Sequence, residues 1–490
     1  MRKPFGKLRM MSLATGIFVS LSFGTSADDL RNNSVRIAGE AFIGNNAHKI
    51  IRALSDGIGS RLTGTEAAHK AAAYACDYFK QAGLTNIHLE YYDAVGWEPG
   101  QVSAEALAPR TKRLMVDSLG LSINTAPQGL AARVVDVGHG TKEDFEKNSA
   151  ALKGQIALAG LNDPADSRMT TKEWQKVLYA ARNGAAACVI IARSKGGLTR
   201  TRASNYGDYS PIPAASITYE DGTWMRRLME EGQEVRMRLV IQNQILPTAK
   251  AENVIAEIKG TEKPEEIVIL GAHLDSWFLG PGAADNALGC AIAMETARIL
   301  NGLGAKPKRT IRFVLFTGEE EGLLGSFAYV QKHESELANI VLMVNLDITG
   351  AMYPGLLNPY GGCQFKDSLN GLVDLLRGMG VTQVFVKYPY DSDDFNFIAR
   401  GVPALGLQGR GVSDAIWGHS AADTYDKIEI DKLNMTLAAI GIIINYAANR
   451  AEPLAEHLSR DEVMKYFRER NLEQTLKDEK TWKKLGFPDK

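Results

Sequence analysis

A histidine and two carboxylates crowd one short stretch, Gly271 to Gly289, reading GAHLDSWFLGPGAADNALG: His273, Asp275 and Asp285. Further along come Glu319, Glu320 and Glu321 in FTGEEEG, Asp347 in VNLDITG and His419 in WGHSAADTYDKI. Two histidines with several carboxylates and no cysteine suit zinc or a similar first-row metal. So many acids in one cleft repel one another unless cations join them. A catalytic zinc uses three protein ligands and keeps a position open, so this set is too large for one ion. Two ions sharing one bridging carboxylate fit the count. Each fragment alone has a plainer explanation. HLD reads as a satisfied pair in a loop, EEE as acids complementing a helix dipole, and NLD as an N-cap. HSAAD reads as a helix start capped by Ser420 or Asp423. It is their joint occurrence that argues for a metal site.

These residues need elements that bring them together. Apolar runs predict strands at Asn253–Ile258, Glu266–Leu270, Thr310–Phe316 and Ile340–Leu346, and later at Gln383–Val386 and Ala404–Leu407. Helical patterns fill Ala287–Leu300, Leu323–Lys332 and Lys432–Ala448. This alternation predicts an α/β fold: a twisted, mostly parallel or mixed sheet with helices on both faces. His273, the glutamates and Asp347 each follow a strand. Ligands of such sheets gather at the carboxyl ends of strands, so segments distant in sequence can converge there.

The 490 residues suffice for more than one well-filled core. A formal net charge of −1 gives no basic footprint for nucleic acid. Residues 1–27 read as a secretory signal peptide: Arg2, Lys3, Lys7 and Arg9, then an apolar run from Met10 to Phe23, then small residues at Thr25-Ser26-Ala27. That run is short for a membrane span, and no later one is long enough, so the expectation is an exported protein without a transmembrane segment, periplasmic or extracellular. Cys76, Cys188, Cys290 and Cys363 are too few for a disulfide scaffold and leave room for one bridge; Cys76 and Cys290 lie in apolar helical patterns and read as core.

Residues 28–125 open the larger domain: a polar N-terminal helix or arm to Asn46, a helical stretch from His48 to Gly83 broken by Gly57 and Gly59, and a strand at Asn86–Tyr92. His69 reads as a surface helix position. Residues 126–246 form a smaller insertion. It has strands at Ala132–Val137, Gln155–Leu158 and Cys188–Ala192, helices at Val177–Gly184 and Asp221–Glu231, and an exposed His139. Residues 247–452 carry the metal site. Residues 453–490 are a charged helical tail on the surface, with a homodimer contact as the alternative.

The order HxD, GAADN, EExGL, NLD and GHSAADTYDKI, with GSRLTG in the opening, resembles the co-catalytic two-zinc exopeptidases. These include the bacterial aminopeptidases and plasma glutamate carboxypeptidase. The insertion, with NGAAACVIIA and IPAASIT, resembles a protease-associated domain. The resemblance implies two Zn2+ ions, one held by His273 and Asp347, the other by Glu320 and His419, with Asp285 bridging. It implies that Asp275 accepts a hydrogen bond from His273, that Glu319 is the general base, that Glu321 is at the surface, and that the Asp285–Asn286 peptide is cis. Two such ions, about 3.5–4 Å apart, would hold a water and lower its pKa, and Glu319 would take its proton. Tyr388 and Tyr390 lie where relatives place a substrate loop, and either would stabilise an oxyanion. Asp391, Asp393 and Asp394 would attract a substrate amino group or form a solvated turn. The implied function is hydrolysis of N-terminal residues or dipeptides from short peptides. The alternatives are a carboxypeptidase of the glutamate carboxypeptidase type, disfavoured because no arginine cluster lies near the ligand segments, and a non-catalytic peptide-binding protein. A single-zinc glutaminyl cyclase is disfavoured by the full ligand set.

Overall fold

The computed structural model describes residues 27–160, 171–347, 353–360, 365, 368–384, 392–410 and 417–488. The segment read as a signal peptide lies, up to Ser26, outside the described residues, as do Cys363, Tyr388, Tyr390 and Asp391. The three remaining cysteines are buried and free.

The strands, in chain order, are β1 Thr85–Ala108, β2 Lys112–Leu114, β3 Val116–Ser118, β4 Leu130–Asp136, β5 Ile156–Ala159, β6 Ala187–Ile191 and β7 Ala214–Ile217. They continue as β8 Arg236–Ile258, β9 Lys263–His273, β10 Arg309–Phe316, β11 Ile340–Leu346, β12 Tyr353–Tyr360, β13 Gln383–Val384 and β14 Ala404–Arg410. Their spatial order is β13-β12-β14-β11-β9-β10-β8-β4-β5-β6-β7-β3, with β1 beside β8. β14, β11, β9 and β10 run parallel, flanked by antiparallel β12 and β8. The sheet is therefore mixed, with a parallel centre.

Successive side chains on a strand point to opposite faces, and the central strands are apolar on both. Val268, Leu270 and Ala272 of β9 enter one core, with the helices Glu66–Gln81, Leu288–Gly302 and Ile430–Asn449. Ile267 and Ile269 enter another, with the helices Leu324–Lys332 and Asp394–Ile398. The tail also belongs to this second core. It is helical, as its pattern indicates, but Val463, Phe467, Leu476, Trp482 and Phe487 are buried there rather than laid on the surface. Spacing between charged residues hid an apolar stripe long enough to close one face of the sheet.

β1 and β8 form a long antiparallel ribbon paired from Thr85 with Glu257 to Ala108 with Arg236. One end of β8 pairs with β10, the other with β4 of the insertion. Ala104, Ala106 and Leu114 pack in the core of the insertion with Val134, Ile156 and Val189. The insertion is thus continuous with the main sheet, and residues 126 and 246 do not mark breaks in it. No helix among the described residues is long and apolar enough to cross a membrane.

Trp482→Ala is expected to cost about 3–5 kcal/mol in denaturant unfolding, the usual penalty for emptying a buried aromatic site. An unchanged midpoint would mean that the tail does not close this core.

Candidate metal centre

Parallel pairing aligns the strand ends that carry the site. Phe316 of β10 pairs with His273 of β9, and Leu346 of β11 with Ala272. His273 is therefore the last residue of its strand, Asp347 follows the neighbouring end, and Glu319 and Glu320 occupy the turn after β10. His419 arrives from the turns beyond β14, in the left-handed conformation with φ 63°.

The geometry divides the ligands into two sets around Asp285. Its Oδ1 is 3.2 Å from His273 Nε2, and its Oδ2 is 2.9 Å from His419 Nε2. Asp347 Oδ1 is 3.6 Å from His273 Nε2, and Glu320 Oε2 is 3.2 Å from His419 Nε2. Two groups able to hold a cation result: His273, Asp285 and Asp347, and Asp285, Glu320 and His419. The all-nitrogen-and-oxygen donor set suits zinc. Glu320 Oε1, buried and without a hydrogen-bond partner among the described residues, is an atom that a cation would satisfy. The residues fit two ions sharing one carboxylate.

The supports of these ligands are largely backbone. His273 Nδ1 lies 3.2 Å from the Asp275 carbonyl oxygen and 3.6 Å from its carboxylate, so the nearer acceptor is the carbonyl. Either acceptor places the proton on Nδ1 and frees Nε2 for a metal. The Asp275 carboxylate accepts instead from the N–H groups of Glu319 and Glu320, at 3.3 and 3.2 Å, and so holds the glutamate turn. His419 Nδ1 faces the carbonyl of Thr201, in the insertion, at 3.2 Å. Asp423 accepts from the N–H groups of Ala284 and Asp285 at 2.7 and 3.1 Å, anchoring the bridging residue rather than capping a helix. The Asp285–Asn286 peptide is cis. Asn286 then donates to the Leu346 carbonyl at 2.6 Å, tying the two ligand strands together. Gly289 passes so close that an added Cβ would stand 2.4 Å from that carbonyl.

Arg61, from the GSRLTG opening, has no exposure and lies beneath the site. Its guanidinium donates to the carbonyls of Leu274 at 2.8 Å, Gly59 at 2.8 Å, Pro281 at 2.6 Å and Gly282 at 2.9 Å. It thereby clamps both ends of the loop between His273 and Asp285. His69, read as a surface position, instead meets the buried Glu252 at 2.7 Å.

Electrostatics follow from burying many acids together. Burial, then the guanidinium of Arg202, with Arg200 adding to it, pushes His419 down to about 4, against the pull of Asp285. It is neutral at neutral pH, the form that binds metal. Burial, aided by Asp347, Glu320 and Asp393 and opposed by His273, holds Glu319 well above the usual carboxyl range. Glu321, expected at the surface, is fully buried, and burial and Asp275 push its pKa well up. The sharp turn at Gly322 and Leu323, φ 129° and 59°, folds the third glutamate inward. Asp393 and Asp394 are buried too, at 0% and 2% exposure, so they do not form a solvated turn. Burial raises Asp393 to about 7.

Residues 253–442 match the profile of Peptidase family M28, and residues 127–225 that of the PA domain. Carboxypeptidase Q of Mus musculus is 31% identical over 84% of this chain and 87% of its own length. A Peptidase M28 precursor from Shewanella amazonensis superposes with a TM-score of 0.79 at 27% identity, covering 89% of this chain and 100% of that one. An aminopeptidase from Aneurinibacillus sp. strain AM-1 gives 0.64 at 26% identity, covering 87% and 98%.

Arg61→Ala would strand buried carbonyls, each costing about 1–3 kcal/mol. The expected result is a loss of at least about 3 kcal/mol in unfolding free energy, with lowered zinc retention during dialysis. Wild-type stability and zinc retention in this variant would show that the clamp is dispensable.

Proposed function

Because the chain belongs to peptidase family M28 and carries an inserted PA domain, we propose that it is a zinc-dependent exopeptidase that removes N-terminal residues from short peptides or splits dipeptides. The observation that carries this reading is the shared carboxylate: Asp285 turns one oxygen to His273 and the other to His419. In this reading His273 and Asp347 hold one Zn2+, Glu320 and His419 the other, and Asp285 both. Zinc bound there supplies Lewis acidity toward a peptide carbonyl and lowers the pKa of water.

The chain's own residues do the rest. Asp275 and Thr201 keep the two histidines in the tautomer that presents Nε2. Glu319, buried on the turn next to Glu320, takes a proton from the attacking water and returns it to the leaving amine. Burial and acidic neighbours favour its protonated form, while bound cations favour the ionised one, so its proton affinity is poised between the two. Export through the N-terminal segment, to the periplasm or the medium, completes the reading; short peptides are the substrates, and a homodimer is compatible with it.

Glu319→Gln is expected to keep two zinc ions per chain by elemental analysis and to lose at least about 100-fold in kcat on a dipeptide. A zinc-loaded variant with most of its turnover would remove Glu319 from the role of base. Wild-type cleavage is expected to stop with chelator, return with zinc and require a free substrate amine. Cleavage that tolerates a blocked amine would move the protein to the carboxypeptidases.

A further inference from the structure

The insertion reaches the catalytic side of the molecule. Besides the contact of the Thr201 carbonyl with His419, the Thr201 N–H donates to the His419 carbonyl at 3.0 Å. The Gly207 N–H donates to the Glu321 carbonyl at 2.7 Å. These bonds press residues 201–207 against both ligand turns. Between them lies a cavity of about 400 Å³, walled by Glu319, Glu320 and His419 on the peptidase side and by Trp174, Arg202 and Tyr206 of the insertion. That size is at the low end for small-ligand sites.

A guanidinium in this place needs a reason. Arg202 stands beside residues suited to holding two cations, where a further positive charge is unfavourable unless an anion comes between. Glu173 is its neighbour within the insertion at 3.8 Å, a loose pairing, and the arginine side chain keeps 36% of its exposure. Against its burial, Arg202, Lys176 and Arg200 hold Glu173 down at about 2, so this acid stays ionised and steers the arginine without occupying the cavity's catalytic wall. No arginine is close to the ligand segments in sequence; the fold delivers Arg202 from the insertion.

We propose that Arg202 binds a carboxylate on the leaving residue of the substrate, making the inserted domain a determinant of specificity. This rests on the peptidase reading above. With the scissile carbonyl beside Glu319, the next residue enters the same cavity, and its carboxylate meets a planar guanidinium able to bind both oxygens. That carboxylate is either the C-terminus of a dipeptide or an acidic side chain.

The test is kcat/KM of the zinc-loaded enzyme on Leu-Ala, Leu-Ala amide and Leu-Glu amide. Wild type is expected to prefer a carboxylate-bearing substrate over Leu-Ala amide by at least about tenfold, the effect of one charge-assisted contact. Arg202→Gln is expected to bring that ratio close to unity, mainly through KM, and Arg202→Lys to restore part of it. Preference for Leu-Ala assigns the main-chain carboxylate; preference for Leu-Glu amide assigns the side chain. Cleavage by wild type without preference overturns the proposal whatever the variants do, as does a preference that survives Arg202→Gln. Failure to cleave all three overturns the peptidase reading, and this inference with it.

Discussion

The structure depends on one carboxylate having two histidine partners. Asp285 sits between His273 and His419 with an oxygen toward each, and both histidines have a further acid beside them. Buried acids this close repel unless positive charge compensates. Arg61 supplies part of it from below, within electrostatic reach of Asp275, Asp285 and Asp423. The remainder is what two cations would provide. The parallel strand ends, the clamp on the loop and the anchoring of the Asp285 backbone by Asp423 all keep that arrangement in place without metal.

The insertion is part of this machinery. A protease-associated domain resting over the mouth would only limit substrate size. Here β1 and β8 run through both parts, and Thr201 supplies the acceptor that orients a ligand histidine. Deleting the insertion would therefore free the His419 imidazole and open the cavity wall, so the change would reach the metal site as well as substrate length.

Much of this was legible in the sequence, and the reason is local. His273, Asp285, Glu320, Asp347 and His419 each lie in a short string at the end of an apolar run, so strand periodicity alone places them at one edge of a parallel sheet. What was illegible is what acts at long range or through backbone. Arg61 serves carbonyls more than two hundred residues away, as at Leu274 and Pro281. Thr201 acts through its carbonyl, which every residue type possesses. Glu321 reads as exposed because an acid in a turn usually is, and only the turn at Gly322 and Leu323 buries it. The tail reads as surface because its apolar residues are diluted among charges, although Phe467 and Trp482 are full members of a core.

The central claim is that two metal ions share Asp285. The most direct measurement is anomalous diffraction at the zinc edge from crystals grown with zinc. The account predicts two peaks, one on each side of the Asp285 carboxylate, the first contacting His273 and Asp347 and the second Glu320 and His419. A single peak, or two peaks that do not share Asp285, would contradict it.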